Sequence, residues 1–161
     1  MIFSIREMEI KDIPQVQYVA KTSWNTTYEG IIPLAIQAKF ISVAYSDDMM
    51  HRRLNHSLML VAETDDRVVG FANFSPVREG GDVELSAIYL LEEYQGNGIG
   101  TSLLQEGIKK LNLAKALFIH VEKENQIGRN FYTAKGFQVI KEFDDDFDGH
   151  ILKTVRMELK L

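Results

Sequence analysis

The sequence predicts an α+β fold, and three observations predict it. Runs of strand length, apolar or alternating apolar and polar, recur from the N-terminus to the C-terminus. Between them lie stretches whose apolar residues fall at helical spacing. Turn chemistry marks the changeovers, as at Thr64-Asp65-Asp66-Arg67 and Glu79-Gly80-Gly81. At 161 residues the chain is about one domain long, and neither a repeat nor a linker divides it. A single domain spanning 1–161 is therefore expected.

Each element has its own reason. Ile2–Met8 alternates apolar and polar residues and predicts a first strand. Lys11-Asp12 opens a helix, with Asp12 as its N-cap and Pro14 in its first turn. Ile13, Val16, Gln17, Ala20 and Trp24 keep helical spacing. Gly30 and Pro33 interrupt it, Thr26–Ile32 forms a connection, and Pro33 starts a second helical region reaching about Leu54. Leu58–Glu63 and Val68–Pro76 flank a tight polar turn and predict an antiparallel hairpin. Asp82–Leu91 is a further, largely apolar strand. A glycine-rich turn follows, then an amphipathic helix carrying Leu103, Leu104, Ile108 and Leu111 on one face. Ala116–Val121 reads as a short buried strand and Asn125–Lys135 as a last helix, closed by Gly136. Phe137–Phe143 and Ile151–Leu159 are two closing strands around an acidic hairpin, Asp144–Gly149.

Composition removes several classes of function. With 18 basic and 23 acidic residues the net charge is −5, which argues against an electrostatic grip on nucleic acid or an anionic membrane. No apolar run is long enough to span a bilayer and the N-terminus lacks a secretory pattern, so a cytoplasmic protein is expected. Cysteine is absent, which excludes disulfides, thiolate metal sites and a cysteine nucleophile. His51, His56, His120 and His150 show no metal-binding spacing, so no metal is expected.

The chemistry concentrates at Gln95-Gly96-Asn97-Gly98-Ile99-Gly100-Thr101, between a strand and a helix. A helix N-terminus offers free N–H groups and a favourable dipole to an anion, and glycine lets the backbone approach closely. No lysine follows the glycines, so a Walker A loop fails. A dinucleotide fingerprint places its third glycine where Thr101 stands, which makes that reading weak. What remains is QxxGxG, met by Gln95, Gly98 and Gly100.

On these residues the chain resembles the GNAT superfamily of acyl-CoA-dependent N-acetyltransferases. Their signature is an apolar strand, QxxGxG/A and a helix, the loop cradling the pyrophosphate of coenzyme A. Glu84-Leu85-Ser86-Ala87-Ile88-Tyr89-Leu90 resembles the family's central strand. The N-x-x-G-x-x-F-Y-x-x-x-G-F run over Asn125–Phe137 resembles its second cofactor segment, with Gly128 where alanine is usual. The resemblance implies a three-layer α/β/α arrangement: a central mixed, mostly antiparallel sheet with helices on both faces. It implies acetyl-CoA as the donor, coenzyme A as a product, and a primary amine as the acceptor.

The resemblance also distributes roles. Gln95, Gly96, Asn97, Gly98, Ile99, Gly100 and Thr101 supply backbone donors to the pyrophosphate. Ile88, Tyr89 and Leu90 border the pantetheine arm on an open strand edge, which such proteins create by splaying two parallel strands around a bulge. Asn125 caps the last helix and, with Gly128, borders the cofactor. Tyr132 is the candidate general acid beside the sulfur. Glu84, an ionisable residue interrupting an apolar strand, is the candidate base, on one face with Ser86, Ile88 and Leu90 by the period of two. Proton removal through water is the alternative, and Glu122 and Glu124 are secondary candidates. Trp24 and Tyr28 are candidate acceptor-binding residues, able to hold a cation over their rings. His120, in an apolar strand, is expected to be a core residue.

The acceptor is expected to be a small molecule, with a polyamine first because Asp144, Asp145, Asp146 and Asp148 concentrate negative charge. A peptide or protein N-terminus and a non-catalytic acyl-CoA-binding module are the alternatives. A homodimer is compatible with the sequence, which leaves the oligomeric state open.

Overall fold

The computed structural model describes residues 1–161. Strand β1 (Ser4–Glu7) is followed by helices α1 (Ile13–Thr27), α2 (Leu34–Ala44) and α3 (Asp47–His56). Strands β2 (Leu58–Thr64), β3 (Arg67–Phe74) and β4 (Asp82–Leu90) come next, then helix α4 (Ile99–Lys110). Strand β5 (Ala116–Glu122), helix α5 (Gln126–Ala134) and strands β6 (Gln138–Phe147) and β7 (His150–Lys160) complete the chain. The seven strands form one sheet in the order β1-β2-β3-β4-β5-β7-β6. Only β4 and β5 run parallel; every other pair is antiparallel. The expected mixed, mostly antiparallel sheet is thus observed.

The parallel pair is short. It covers Asp82–Glu84 against Ala116–Phe118 and then stops, so the two strands splay apart. On its other side β4 carries a bulge: Ala87 faces Asn73 while Leu85 faces Phe74, which leaves Ser86 as an extra residue. The Ser86 hydroxyl donates to the Asn73 carbonyl at 3.2 Å. The bulge changes which side chains share a face. Ile88 and Leu90 stay with Ala72 and Gly70, whereas Glu84 falls with Ala87 and Tyr89. Glu84 does not share a face with Ile88 and Leu90, because the strict period of two is broken at Ser86.

Helices cover both faces. Helix α4 lies on the Phe74 side, where a Cβ at Gly107 would strike the Phe74 ring, so glycine is what permits this approach. The N-terminal helices lie on the other side, with the Tyr45 ring edge-on to Phe71 at 6.0 Å. Phe71 and Phe74 are both fully buried, on opposite faces of β3, which explains why that strand reads as a continuous apolar run.

Three local expectations are corrected. Asp12 occupies the N-cap position of α1, but its side chain does not cap that helix. It accepts the Glu9 N–H at 2.8 Å and the Arg6 guanidinium at 2.7 and 2.9 Å. Burial alone would raise its pKa; Arg6 and the Glu9 N–H more than offset that and hold it below the usual value. The helical region expected through Leu54 is two helices, since Ser46 caps α3 by accepting the Met49 N–H at 3.3 Å. The acidic run is not a turn: Asp144, Asp145 and Asp146 pair within β6 with Lys153, Leu152 and Ile151. The turn is Asp148-Gly149, with φ of 52° and 83°.

Candidate active site

Past the splay point the β5-facing edge of β4 has no partner strand. The Leu91 N–H donates to Val69 on β3. By alternation the backbone groups of Leu90 and Ile88 point the opposite way, into the gap between β4 and β5. The Leu90 carbonyl accepts the Ser23 hydroxyl at 3.1 Å, which ties α1 to this edge.

The chain leaves β4 through the turn Glu92–Tyr94 and enters the glycine loop. Gly96 and Gly98 have φ of 81° and 82°, a left-handed conformation that glycine adopts without strain. The first intrahelical bond of α4 runs from Ser102 to the Gly98 carbonyl, and the N–H groups of Gly96 through Thr101 have no acceptor in the protein. A Cβ at Gly96 or Gly98 would meet nothing within 4 Å, so the space above these N–H groups is open. A row of free donors at a helix N-terminus under an open cradle fits a pyrophosphate. The Asn97 side chain turns back to the carbonyls of Tyr94 and Gln95.

Helix α5 forms the next wall. Asn125 caps it, accepting the Gly128 N–H at 3.0 Å. A Cβ at position 128 would lie 2.7 Å from the Asn125 amide nitrogen. Glycine there lets the cap fold back, so exchange with alanine is less neutral than size alone suggests. A Cβ added at Gly100 would lie 3.1 Å from the Phe131 ring, so α4 and α5 pack closely. Tyr132 packs edge-on to Phe137 at 5.3 Å.

A cleft of about 670 Å³ lies between these elements. Of the residues singled out in the sequence, it brings together Tyr28, Ile88, Tyr89, Leu90, Gln95, Gly96, Gly98, Ile99, Gly100, Thr101, Asn125, Gly128 and Tyr132. Three tyrosines meet across it, Tyr28 just after the end of α1, Tyr89 from β4 and Tyr132 from α5. Burial raises all three hydroxyl pKa values, and their proximity reinforces the shift at Tyr89 and Tyr132. Each is therefore a neutral hydrogen-bond donor at pH 7.

Three expected residues stand elsewhere. Asn97 is outside the cleft lining. Trp24 is only 7% exposed, stacked on Phe40 at 4.4 Å and tilted against Tyr28 at 4.5 Å. It supports the wall and does not touch the cleft, because helical spacing aims it at α2 and Phe147. Glu84 is also outside the lining. Its carboxylate pairs with both arms of Arg156, at 2.5 and 3.3 Å, and lies 3.9 Å from Arg78. With both of its oxygens taken up by Arg156, Glu84 is placed as an anchor for that guanidinium.

His120 was missed. It is exposed and lines the cleft, because the face of β5 it occupies is left uncovered beyond the splay. Its Nε2 accepts from Arg156 at 3.0 Å, and its ring is edge-on to Phe143. Desolvation, then Arg156, lowers its pKa, so the ring is neutral at pH 7. An apolar strand with a single polar interruption carries no local sign of which face is open.

The cleft therefore has two sides. The α4–α5 side presents backbone donors. The opposite side presents His120, whose face of the sheet also carries Arg156 and Asp145 through the pairs His120–Arg156 and Asp145–Leu152, with Leu152 packed against Trp24.

Residues 23–137 match the Acetyltransferase (GNAT) family. The chain is 34% identical over 157 residues to YuaI, an uncharacterized N-acetyltransferase of Bacillus subtilis, covering 94% of this chain and 90% of the relative. It is 30% identical over 158 residues to the spermidine N(1)-acetyltransferase of Thermoplasma acidophilum, covering 92% and 93%. The crystal structure of the PaiA N-acetyltransferase of Thermoplasma acidophilum in complex with coenzyme A has a TM-score of 0.86 at 28% identity over 100% of both chains.

Proposed function

The chain belongs to the GNAT family and is an acetyl-CoA-dependent N-acetyltransferase, and on that premise we propose that its acceptor is a small cationic amine, a polyamine first. Acetyl-CoA, when bound, supplies an activated thioester. The N–H groups of Gly96 through Thr101 hold its pyrophosphate without any lysine, and Gly98 and Gly100 keep the approach open. The backbone groups of Ile88 and Leu90, with Tyr89 alongside, border the pantetheine arm. Leu90 does so mainly through its N–H, since its carbonyl already serves Ser23. Asn125 and Gly128 fix the start of α5 and so the position of Tyr132.

Tyr132 donates its hydroxyl proton toward the departing sulfur. Its raised pKa keeps that proton in place until charge develops. With Glu84 engaged by Arg156, the ammonium proton leaves through water. The chain has no cysteine to carry the acetyl group, so transfer to the amine is direct.

One observation carries the acceptor class. Asp145 faces the His120 side of the sheet and forms no ion pair, although Asp148 and Glu142 both do. Unpaired negative charge beside an open cleft raises the local concentration of a cation. The spermidine acetyltransferase relative supports the polyamine choice. The test is thiol release from acetyl-CoA with spermidine, amino acids, aminoglycosides and peptide N-termini. Spermidine is expected to give the highest kcat/KM, falling with salt. A neutral or anionic acceptor that outperforms it refutes the assignment.

A further inference from the structure

Strand β5 ends on a carboxylate whose surroundings differ from those of every other acid near the cleft. Glu122 alternates with Phe118 and His120 on the acceptor face, opposite Thr154. It is 7% exposed, yet it forms no ion pair. One oxygen, Oε2, accepts the Glu124 N–H at 2.5 Å. The other, Oε1, has no hydrogen-bond partner in the protein and is not sealed from solvent. Glu122 sits just behind the cleft lining, which Val121, Glu124 and Tyr28 form around it. Burial keeps the Tyr28 hydroxyl protonated, and the nearby Glu122 charge adds to that. Glu84 is clamped by Arg156, and Asp145 and Glu124 are exposed and solvated.

A buried carboxylate with one backbone donor and no cation is costly unless something outside the protein completes its shell. The Glu124 contact explains how the β5–α5 turn is closed. It leaves the charge itself unexplained, because a neutral amide would make the same bond. We propose that Glu122 receives the acceptor's reacting ammonium group, with Oε1 as the acceptor of its N–H and the Tyr28 hydroxyl alongside. This rests on the proposed amine acceptor in needing an ammonium group, and it does not need a polyamine. A neutral acceptor would leave the carboxylate uncompensated, so the same residue discriminates against uncharged substrates.

The test compares Glu122→Gln with Glu122→Asp by calorimetric titration of spermidine into protein saturated with coenzyme A. Glu122→Gln keeps the turn bond and removes the charge; Glu122→Asp keeps the charge and shortens the reach to Glu124. The expected result is a Kd for spermidine raised about tenfold or more in Glu122→Gln, the loss of one charge-assisted hydrogen bond, and raised less in Glu122→Asp. Coenzyme A affinity should stay within about twofold in both. A purely structural Glu122 gives the reverse order, and wild-type spermidine affinity in a folded Glu122→Gln overturns the proposal. The titration is repeated with n-butylamine as a simple monoammonium. Wild-type protein that binds n-butylamine through Glu122 but ignores spermidine refutes the polyamine assignment alone. Binding of neither amine overturns both.

Discussion

The two sides of the cleft solve recognition in different ways. On the α4–α5 side the donors are main-chain N–H groups from one continuous loop, Gly96 to Thr101, and one strand edge freed by the splay of β4 from β5. On the other side the groups are side chains from distant parts of the chain: Tyr28, just after α1, and His120 on β5 line the cleft, and Glu122 on β5, Asp145 on β6 and Arg156 on β7 share the His120 face of the sheet. The first side is fixed by glycine conformation and helix geometry. The second depends on registers between strands that are far apart in sequence. The difference teaches that donors drawn from one local motif are written in a short stretch of sequence, while a face assembled from strands far apart in the chain is not.

The largest expected effect bears on the residue that links the two sides. Tyr132→Phe removes only a hydroxyl, so turnover should fall about 10²–10⁴-fold, as loss of general-acid assistance predicts, with acetyl-CoA affinity little changed. A fall of under about threefold would leave Tyr132 as packing against Phe137.

Gly98→Val attacks the backbone side alone. The valine must adopt a φ near 82°, and its methyls would enter the open cradle. Coenzyme A affinity should drop about a hundredfold, from strain and steric block together, while the fold persists because no protein atom lies within 4 Å. Normal affinity in a folded variant removes the loop from the cofactor site.

These two positions also mark what was legible in the sequence. QxxGxG and the N-x-x-G-x-x-F-Y run are local, so their spacing survives in one dimension, and the strand and helix order follows from periodicity. Glu84 shows why the rest was not legible. Its face was assigned by alternation, and one extra residue at Ser86 inverts that assignment. No local pattern announces a bulge. Arg156, which clamps Glu84, is 72 residues away. His120 and Trp24 were misplaced for the same reason: exposure depends on where α1, α2 and the splay lie. The Asp144–Asp146 run looked like a turn because acidic residues favour turns, whereas the edge position of β6 lets a strand carry them.

That edge strand gives the third prediction, which sharpens the comparison. Asp145 faces the same side of the sheet as His120; Asp144 and Asp146 face the other. Asp145→Asn should raise KM for spermidine about threefold and weaken its salt dependence, whereas Asp144→Asn and Asp146→Asn should not. Equal effects from all three would mean diffuse charge and no distinct acceptor face.

Glu84→Gln should leave kcat within about threefold, since the carboxylate lies outside the cleft, and cost about 1–2 kcal/mol of stability through the half-buried Arg156 pair. A hundredfold loss of kcat at unchanged stability would restore Glu84 as the base. The smallest effect is expected at Gly128→Ala. The alanine Cβ displaces the Asn125 cap, a loss of about 1 kcal/mol. Better helix propensity returns up to about 1 kcal/mol, so Tm should move by only a few degrees.

The division of labour between the two sides is tested most directly by a crystal structure of the protein with coenzyme A and spermidine together. The pyrophosphate oxygens should lie within about 3.2 Å of N–H groups from Gly96 to Thr101, and a spermidine nitrogen should sit on the face of His120, Glu122 and Asp145, pointing at the sulfur beside Tyr132. Spermidine bound on the α4–α5 face, or a pyrophosphate away from the glycine loop, would contradict it.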